Sequence, residues 1–425
     1  MLYPTVELLS LIKVSLSGTI KQMGIFWSKK SKEKLVLVFH IGSSSVGGAL
    51  FSVQDSGVPK IILSINEEID LQNTFNIDEF LSTTLESLEI LVEKIHKAGM
   101  GVPKMTFCIL SSPWYVSQTR VIRLEKNAPF IFTSKLALDL IQKEISLFEE
   151  EYLAKYRDAK SPVKVIEFKN IKTVLNGYET SSPLDQKIRE LEMTIFISIS
   201  GEQVLQKIEK IITRHFHLAE IKFSSFIMTA FAVVRDIYAY NTDFLLIDIG
   251  GEVTDISMIK KNILHESISF PLGLNFMIRG VASALHCSLS QARSLVSLLK
   301  DGHATESATK KIGSVVDRLK TEWLHKFQES LSNLSHDISI PSTIYLAVNK
   351  EMANFFTETI KNEQFNQYTL TESKFQVIFL DTKVFHGMAN FEDNVVRDSN
   401  LIIDSIYINR FLINSNLTPL SGAGV

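Results

Sequence analysis

The chain has 425 residues, a formal charge of −3, 45% hydrophobic and 21% charged residues. That length allows two or more domains with sizeable cores, and the near-balanced charge excludes the broad basic surplus of a nucleic-acid binder, so no nucleic-acid partner is expected. Its two cysteines, Cys108 and Cys287, lie in apolar runs without metal-ligand spacing, which points to reduced thiols in a cytoplasmic protein and away from a disulfide framework.

Residues 1–33 read as an N-terminal helix or arm. Val6, Leu8, Leu9, Leu11, Ile12, Leu16 and Ile20 make one apolar face, and Lys29, Lys30, Lys32 and Lys34 follow it. Such a segment either packs on the protein body or lies on a partner or a membrane surface, where apolar burial adds to attraction for anionic lipid; residues 5–34 are the candidate for peripheral contact with the inner face of the cell membrane. No run reaches the roughly 18 apolar residues of a spanning helix, and no charged leader with a small-residue cleavage site is seen.

A first hairpin spans 37–53: an apolar strand ending at His40, a turn Gly42-Ser43-Ser44-Ser45, then a second strand. A helix follows, capped by Asp78, with Phe80, Leu81, Leu85, Leu88, Val92 and Ile95 at helical spacing, and Gly99 and Gly101 end it. Strand 105–110 stops at Ser111-Ser112-Pro113. Residues 113–190 change character: a charged helix over 134–156 with Glu144, Glu149, Glu150 and Glu151 on a solvated face, short strands at 163–168 and 171–175, and a turn at Asn176-Gly177. This is a small α+β insertion.

Strand 193–199 and two helices, one opening at Gly201-Glu202 and one over 225–238, lead to a second hairpin at 245–261. It repeats the first: an apolar strand ending at Asp248, a turn Gly250-Gly251, and a strand carrying Thr254 and Asp255. Helices near 275–286, 290–300 and 307–334, strand 343–348, a helix near 351–359 and strand 375–380 complete the second half; the tail beyond Arg410 is expected to be flexible.

The paired turns carry the chemistry. Small residues let backbone N–H groups approach a phosphate chain, and two such turns on opposed hairpins could clamp it from both sides. Asp248 is placed to hold Mg²⁺ through water, and Thr254 and Asp255 to bond the second turn or a metal-bound water. In this pattern the chain resembles the actin-like ATPase superfamily, and within it the FtsA and PilM branch. Asp248-Ile-Gly-Gly-Glu-Val-Thr-Asp255 is similar to that branch's second phosphate loop, Asp-Ile-Gly-Gly-Gly-Thr-Thr-Asp; the stretch from Pro271 through Gly273 to Leu285 is similar to the segment after it; and 113–190 resembles the branch's own small subdomain.

The resemblance implies a two-lobed actin-like (duplicated ribonuclease H-like) α/β fold with a small α+β insertion in the first lobe. The expected divisions are the arm at 1–33, first-lobe segments at 34–112 and 191–243, the insertion at 113–190, the second lobe at 244–410 and the tail at 411–425. It implies ATP and Mg²⁺ as cofactors, contacted by Gly42, Ser43, Ser44, Asp248, Gly250, Gly251, Thr254, Asp255 and Gly273, with Asp248 serving the metal and no catalytic residue assigned.

The sequence departs from the family at three places. The first loop begins with His40 in place of Asp, Ala347–Met352 lacks the Gly-rich adenosine loop, and Arg293–Val296 lacks the Glu…Lys ribose pair. Two histories fit: a pocket that no longer hydrolyses ATP, or a divergent site in which His40 donates a hydrogen bond to phosphate. The expected function is an FtsA-like scaffold in bacterial cell division working through protein contacts; a PilM-like type IV pilus adaptor is the alternative within the branch. A self-associating, filament-forming ATPase or a sugar-kinase relative is the alternative from another class. Length favours FtsA, although the end of the chain lacks that family's membrane helix.

Overall fold

The computed structural model describes residues 34–417 apart from 55, 156–161, 217–219, 301–305, 335–338, 351 and 363–373. The expected N-terminal arm and its membrane face therefore lie outside the described residues.

Two five-stranded units repeat one topology. In the first, β1 (Lys34–Ile41), β2 (Ser45–Val53) and β3 (Lys60–Glu68) form an antiparallel meander, and β4 (Met105–Leu110) and β9 (Ile221–Ser225) add parallel strands beyond β1. In the second, β10 (Phe244–Ile249), β11 (Thr254–Lys260) and β12 (Ile263–Phe270) make the meander, and β13 (Thr343–Val348) and β14 (Gln376–Phe379) the parallel pair. Register repeats too: His40 faces Gly47 and Ile109, and Asp248 faces Asp255 and Ala347, each one residue before its strand ends. Val36 to Ile41 are buried without interruption, as expected for a strand covered on both faces. A short β15 (Asn390–Phe391) extends the first sheet beside β3.

Helix α1 (Ile77–Lys97) covers β2 and β3. Its cap is Asn76, not Asp78: the Asn76 side-chain oxygen accepts the N–H groups of Asp78 at 3.0 Å and Glu79 at 3.1 Å, while Asp78 sits inside the first turn. Asn76→Ala is expected to cost about 1 kcal/mol, read as a lower urea midpoint at unchanged slope.

The insertion has its own sheet and core. Strands β5 (Val116–Ile131), β6 (Val163–Leu175), β7 (Tyr178–Glu179) and β8 (Lys187–Gly201) pair in the order β5-β8-β6-β7, and helix α2 (Ser134–Lys155) lays Ala137, Ile141 and Phe148 into the core beside it. The two short strands expected at 163–168 and 171–175 are one strand with bulges at Val165/Glu167 and Asn170/Lys172. The acidic helix is not purely a solvated face, because Arg120 of β5 bonds both Glu144 and Glu151 at 2.9 Å. The expected boundary at 190 falls inside β8, which runs straight into α3 (Glu202–Phe216), packed on α1 in the first unit's core.

Helix α4 (Phe226–Ile237) follows β9. Helices α5 (Leu274–Leu285), α6 (Leu289–Lys300), α7 (Glu306–Leu334) and α8 (Ala353–Asn362) belong to the second unit, where Trp323, Phe327 and Leu331 of the long α7 stripe are buried. The chain then returns. Helix α9 (Ser399–Leu417) packs on α4, β1 and β2, with Leu401, Ile402, Ile403, Ile406 and Ile408 buried. The flexible tail expected from 411 is thus helical through Leu417, because Leu412 is buried and Phe411 meets Phe107 at 6.2 Å.

Candidate functional site

The two duplicated turns meet tip to tip. Each is closed by the same backbone bond, Gly42 N–H to Ser45 O at 3.1 Å and Gly250 N–H to Val253 O at 2.9 Å. Between them, the Glu252 N–H donates to Ser43 Oγ at 3.1 Å. A Cβ on Gly250 would lie 2.7 Å from Ser43 Oγ, and one on Gly251 would lie 2.8 Å from the Ser44 nitrogen and collide with the Ser43 carbonyl. Glycine here serves the approach of one backbone to another.

Behind the first turn, His40 is held in a buried line. Its Nδ1 lies 2.9 Å from Asp404 Oδ2, its Nε2 lies 3.3 Å from Ser111 Oγ, and Asp404 Oδ1 accepts from Thr229 Oγ1 at 3.1 Å. The ring meets Phe226 edge-on at 4.9 Å. Burial works against a charged imidazole, but the Asp404 carboxylate, with Asp398 and Asp248, more than offsets it, so the His40 pKa is raised. A Ser–His–Asp line therefore exists that sequence spacing could not reveal. Its three members are shielded from solvent and so are not presented to a substrate. His40, Ser111 and Asp404 are 6%, 5% and 0% exposed.

Behind the second turn lie Asp248 and Asp255. Burial raises Asp248 to about 7, with Asp255 adding to the shift and His40 opposing it. Burial raises Asp255 to about 6, against hydrogen bonds from Ser269 at 2.5 Å and Ser112 at 3.0 Å. Thr254 points elsewhere: its hydroxyl donates to Leu272 O at 2.7 Å and accepts from Trp323 Nε1 at 3.2 Å, inside the second unit's core. Gly273 packs onto the second turn from below, where a Cβ would lie 2.5 Å from Gly250 O; the N–H groups of Leu274 and Asn275 bond Gly250 O at 3.0 Å and Gly251 O at 2.8 Å. Among the described residues, no group of three or more His, Cys, Asp or Glu side chains could hold a metal ion.

No family model and no curated protein matches the chain. Among solved structures, it is similar to the PilM of a PilM-PilN type IV pilus biogenesis complex, at 12% identity and a TM-score of 0.56 over 90% of this chain and 99% of that one. The chain has the actin-like ATPase fold. Weaker likenesses, both at a TM-score of 0.40, reach the ethanolamine utilization protein EutJ from Carboxydothermus hydrogenoformans (10% identity, 88% of this chain and 89% of that one) and a Bacteroides thetaiotaomicron protein described as having the actin-like ATPase fold (8% identity, 88% and 96%).

In an actin-like fold, the space between these turns is where ATP phosphates and their Mg²⁺ would lie, and the residues present do not fit them. A phosphate between two turns needs an N–H···O bond of ~2.9 Å to each side as well as its own width. Here the turns touch, and the Glu252 N–H is taken by Ser43. Glu252, which replaces the third glycine of the loop, is 7% exposed; its carboxylate binds Asn275 at 2.7 Å and Arg279 at 2.6 Å. Arg279 and Glu252 were not visible as site residues in the sequence, since Arg279 lies five positions inside a helix. Arg293, at the place where the ribose pair was sought, makes an ion pair with Glu68. Met352, where an adenosine-loop glycine was sought, packs with Phe355 against the α5–α7 cluster.

The buried carboxylates set a pH dependence. A carboxyl whose folded pKa is raised binds its proton more tightly when folded, so its contribution to stability is complete below its unfolded pKa of about 4 and is lost as pH rises through the folded value. Asp248, at about 7, and Asp255, at about 6, therefore weaken the fold between about pH 4 and pH 7. The raised His40 pKa has the same sign, its contribution being lost as pH rises above about 6.5. Stability is expected to fall from pH 5 to pH 8, with Asp248, half-buried, contributing about 2 kcal/mol. Asp248→Asn removes that part of the slope, and urea melts at both pH values measure it.

Proposed function

We propose that this chain is a PilM-like adaptor of a type IV pilus assembly machine, acting at the cytoplasmic side of the membrane through protein contacts and not through ATP turnover. The observation that carries this reading is the match to PilM along 99% of that chain. The length argument for an FtsA-like division protein loses its force, because a PilM spans almost all of the aligned fold and the excess residues of this chain lie outside the match. The tip-to-tip turns and the buried Glu252 support a scaffold over a turnover enzyme. Among the described residues, no helix is long and apolar enough to cross a membrane, so membrane proximity would come from a partner or from residues 5–34.

The test is co-elution of the full chain with a PilN-type protein from the same genome, in detergent, by size-exclusion chromatography with light scattering. A stable complex of defined stoichiometry is expected. Failure to bind it, together with binding to the division-ring protein of the same cell, would return the chain to the division role.

A further inference from the structure

We infer that the interlobe cleft of this protein is closed by its own residues, which fill the places that a nucleoside triphosphate and its cation hold in the actin-like fold, so that closure is constitutive and does not await nucleotide. This goes beyond the adaptor reading and holds whichever protein the chain engages.

Four groups of contacts carry the inference, each crossing from the first unit to the second. At the tips, Ser43 Oγ accepts the Glu252 N–H, the service a phosphate oxygen would perform for that turn. At the mouth, Arg279 binds the Glu252 carboxylate through Nη1 at 2.8 Å and Nη2 at 2.6 Å, and the same guanidinium donates from Nε to the Gln72 carbonyl of the first unit at 2.8 Å. Arg293 adds its ion pair to Glu68, near the exposed rim. At the base, Ser112 Oγ donates to Asp255 at 3.0 Å, and Thr119 of β5 donates to the Leu264 carbonyl of β12 at 2.8 Å, so the insertion also reaches the second sheet.

The cation's place has an internal answer too. Asp248, Asp255 and Asp404 are carboxylates brought near one another, an arrangement that is costly without a positive charge. The imidazole of His40 stands among them, its Nδ1 2.9 Å from Asp404 Oδ2, where it can carry that charge. Apolar contact continues the seam: Phe244, Leu246, Tyr345 and Ala347 of the second sheet belong to the same core as β1, α4 and α9. In a protein whose lobes close around a ligand, such contacts would be made by the ligand or would form only with it bound. Here they are protein to protein, and the two turns touch directly.

Hydrogen exchange of the full chain, without ligand and with Mg²⁺-ATP or Mg²⁺-ADP added, tests the inference. The amides of 250–252 are expected to be protected in the free protein and to change less than twofold on adding either nucleotide. Ser43→Ala, which removes the acceptor while keeping a small residue, is expected to speed exchange at Glu252 about tenfold without lowering the urea midpoint enough to unfold the chain. Gly251→Val, which forces the turns apart, is expected to raise the radius of gyration in solution scattering; if this variant fails to fold, the Ser43→Ala exchange decides alone. Fast exchange at 250–252 in the free protein that slows tenfold or more with Mg²⁺-ATP would overturn the inference. A complete failure to bind a PilN-type partner, with the exchange pattern as expected, would sink the adaptor reading and leave this one standing.

Discussion

Replacing Glu167 by alanine is expected to lower stability by about 3–5 kcal/mol and to loosen the inserted domain from the first lobe. Glu167 sits at a bulge of β6 and is 7% exposed. Its Oε1 accepts from Ser224 Oγ at 2.6 Å and from the Tyr407 hydroxyl at 3.2 Å. Its Oε2 accepts the Ser225 N–H at 3.1 Å and the Ser225 hydroxyl at 2.9 Å. Ser225 is the N-cap of α4, so the carboxylate also meets the positive end of a helix. One side chain therefore joins the insertion, the first sheet and α9. Alanine leaves three hydroxyls and a buried N–H to find new partners, and it deprives Lys169, 4.0 Å away, of its carboxylate. Glu167→Gln keeps the shape but loses the charge and turns one accepting oxygen into a donor, which the Ser224 and Tyr407 hydroxyls can accept by rotating, so about 1–2 kcal/mol is expected. Urea melts give the energies, and limited proteolysis between β5 and β8 reads the loosening. A Glu167→Ala protein within 1 kcal/mol of the unaltered one would show that the insertion is held by apolar contact alone.

His40→Asp is expected to cost about 3 kcal/mol and not to recover a nucleotide site. On sequence grounds this substitution restores the residue with which the family's first loop begins. In the structure it sets a carboxylate against Asp404, with Asp248 and Asp398 close enough to act on the same position. The Asp404 carboxyl is fully buried, and burial already raises its pKa, His40 pulling the other way. Without the imidazole, the hydrogen bond from the Thr229 hydroxyl is left to oppose that rise. The double variant His40→Asp/Asp404→Asn removes one of the facing charges and is expected to regain at least half the loss, a coupling that a double-mutant cycle isolates. Equal destabilisation of the single and double variants would show that ring packing on Phe226, not charge, sets the requirement for His40.

What was legible in the sequence was local. The hairpins at 37–53 and 245–261 were readable because strand, small-residue turn and strand are contiguous, and their repetition named the fold. The helix starts are readable to within a few residues, yet the sequence offers Asp78 as a cap two positions beyond Asn76, since either type can serve. What was hidden was distant. Asp404 lies 364 positions from His40, in a helix whose apolar run says it is buried but not against what. Ser111, which ends β4, and Thr229, on α4, reach the same site only through sheet order. Glu252 takes its meaning only from Arg279 and Gln72, which no local pattern brings to it. The continuous β6 reads as two strands in the sequence because its bulges break the period-2 pattern. Thr254 was placed toward phosphate by analogy, whereas alternation along β11 puts Asp255 on the cleft side and Thr254 under Trp323.

Titration of Mg²⁺-ATP into the unaltered full chain by calorimetry tests the central claim most directly. A cleft closed from within predicts no saturable heat at nucleotide concentrations up to ~1 mM, the range where binding is worth only ~4 kcal/mol. A saturable, Mg²⁺-dependent isotherm with one site per chain and micromolar affinity would contradict it.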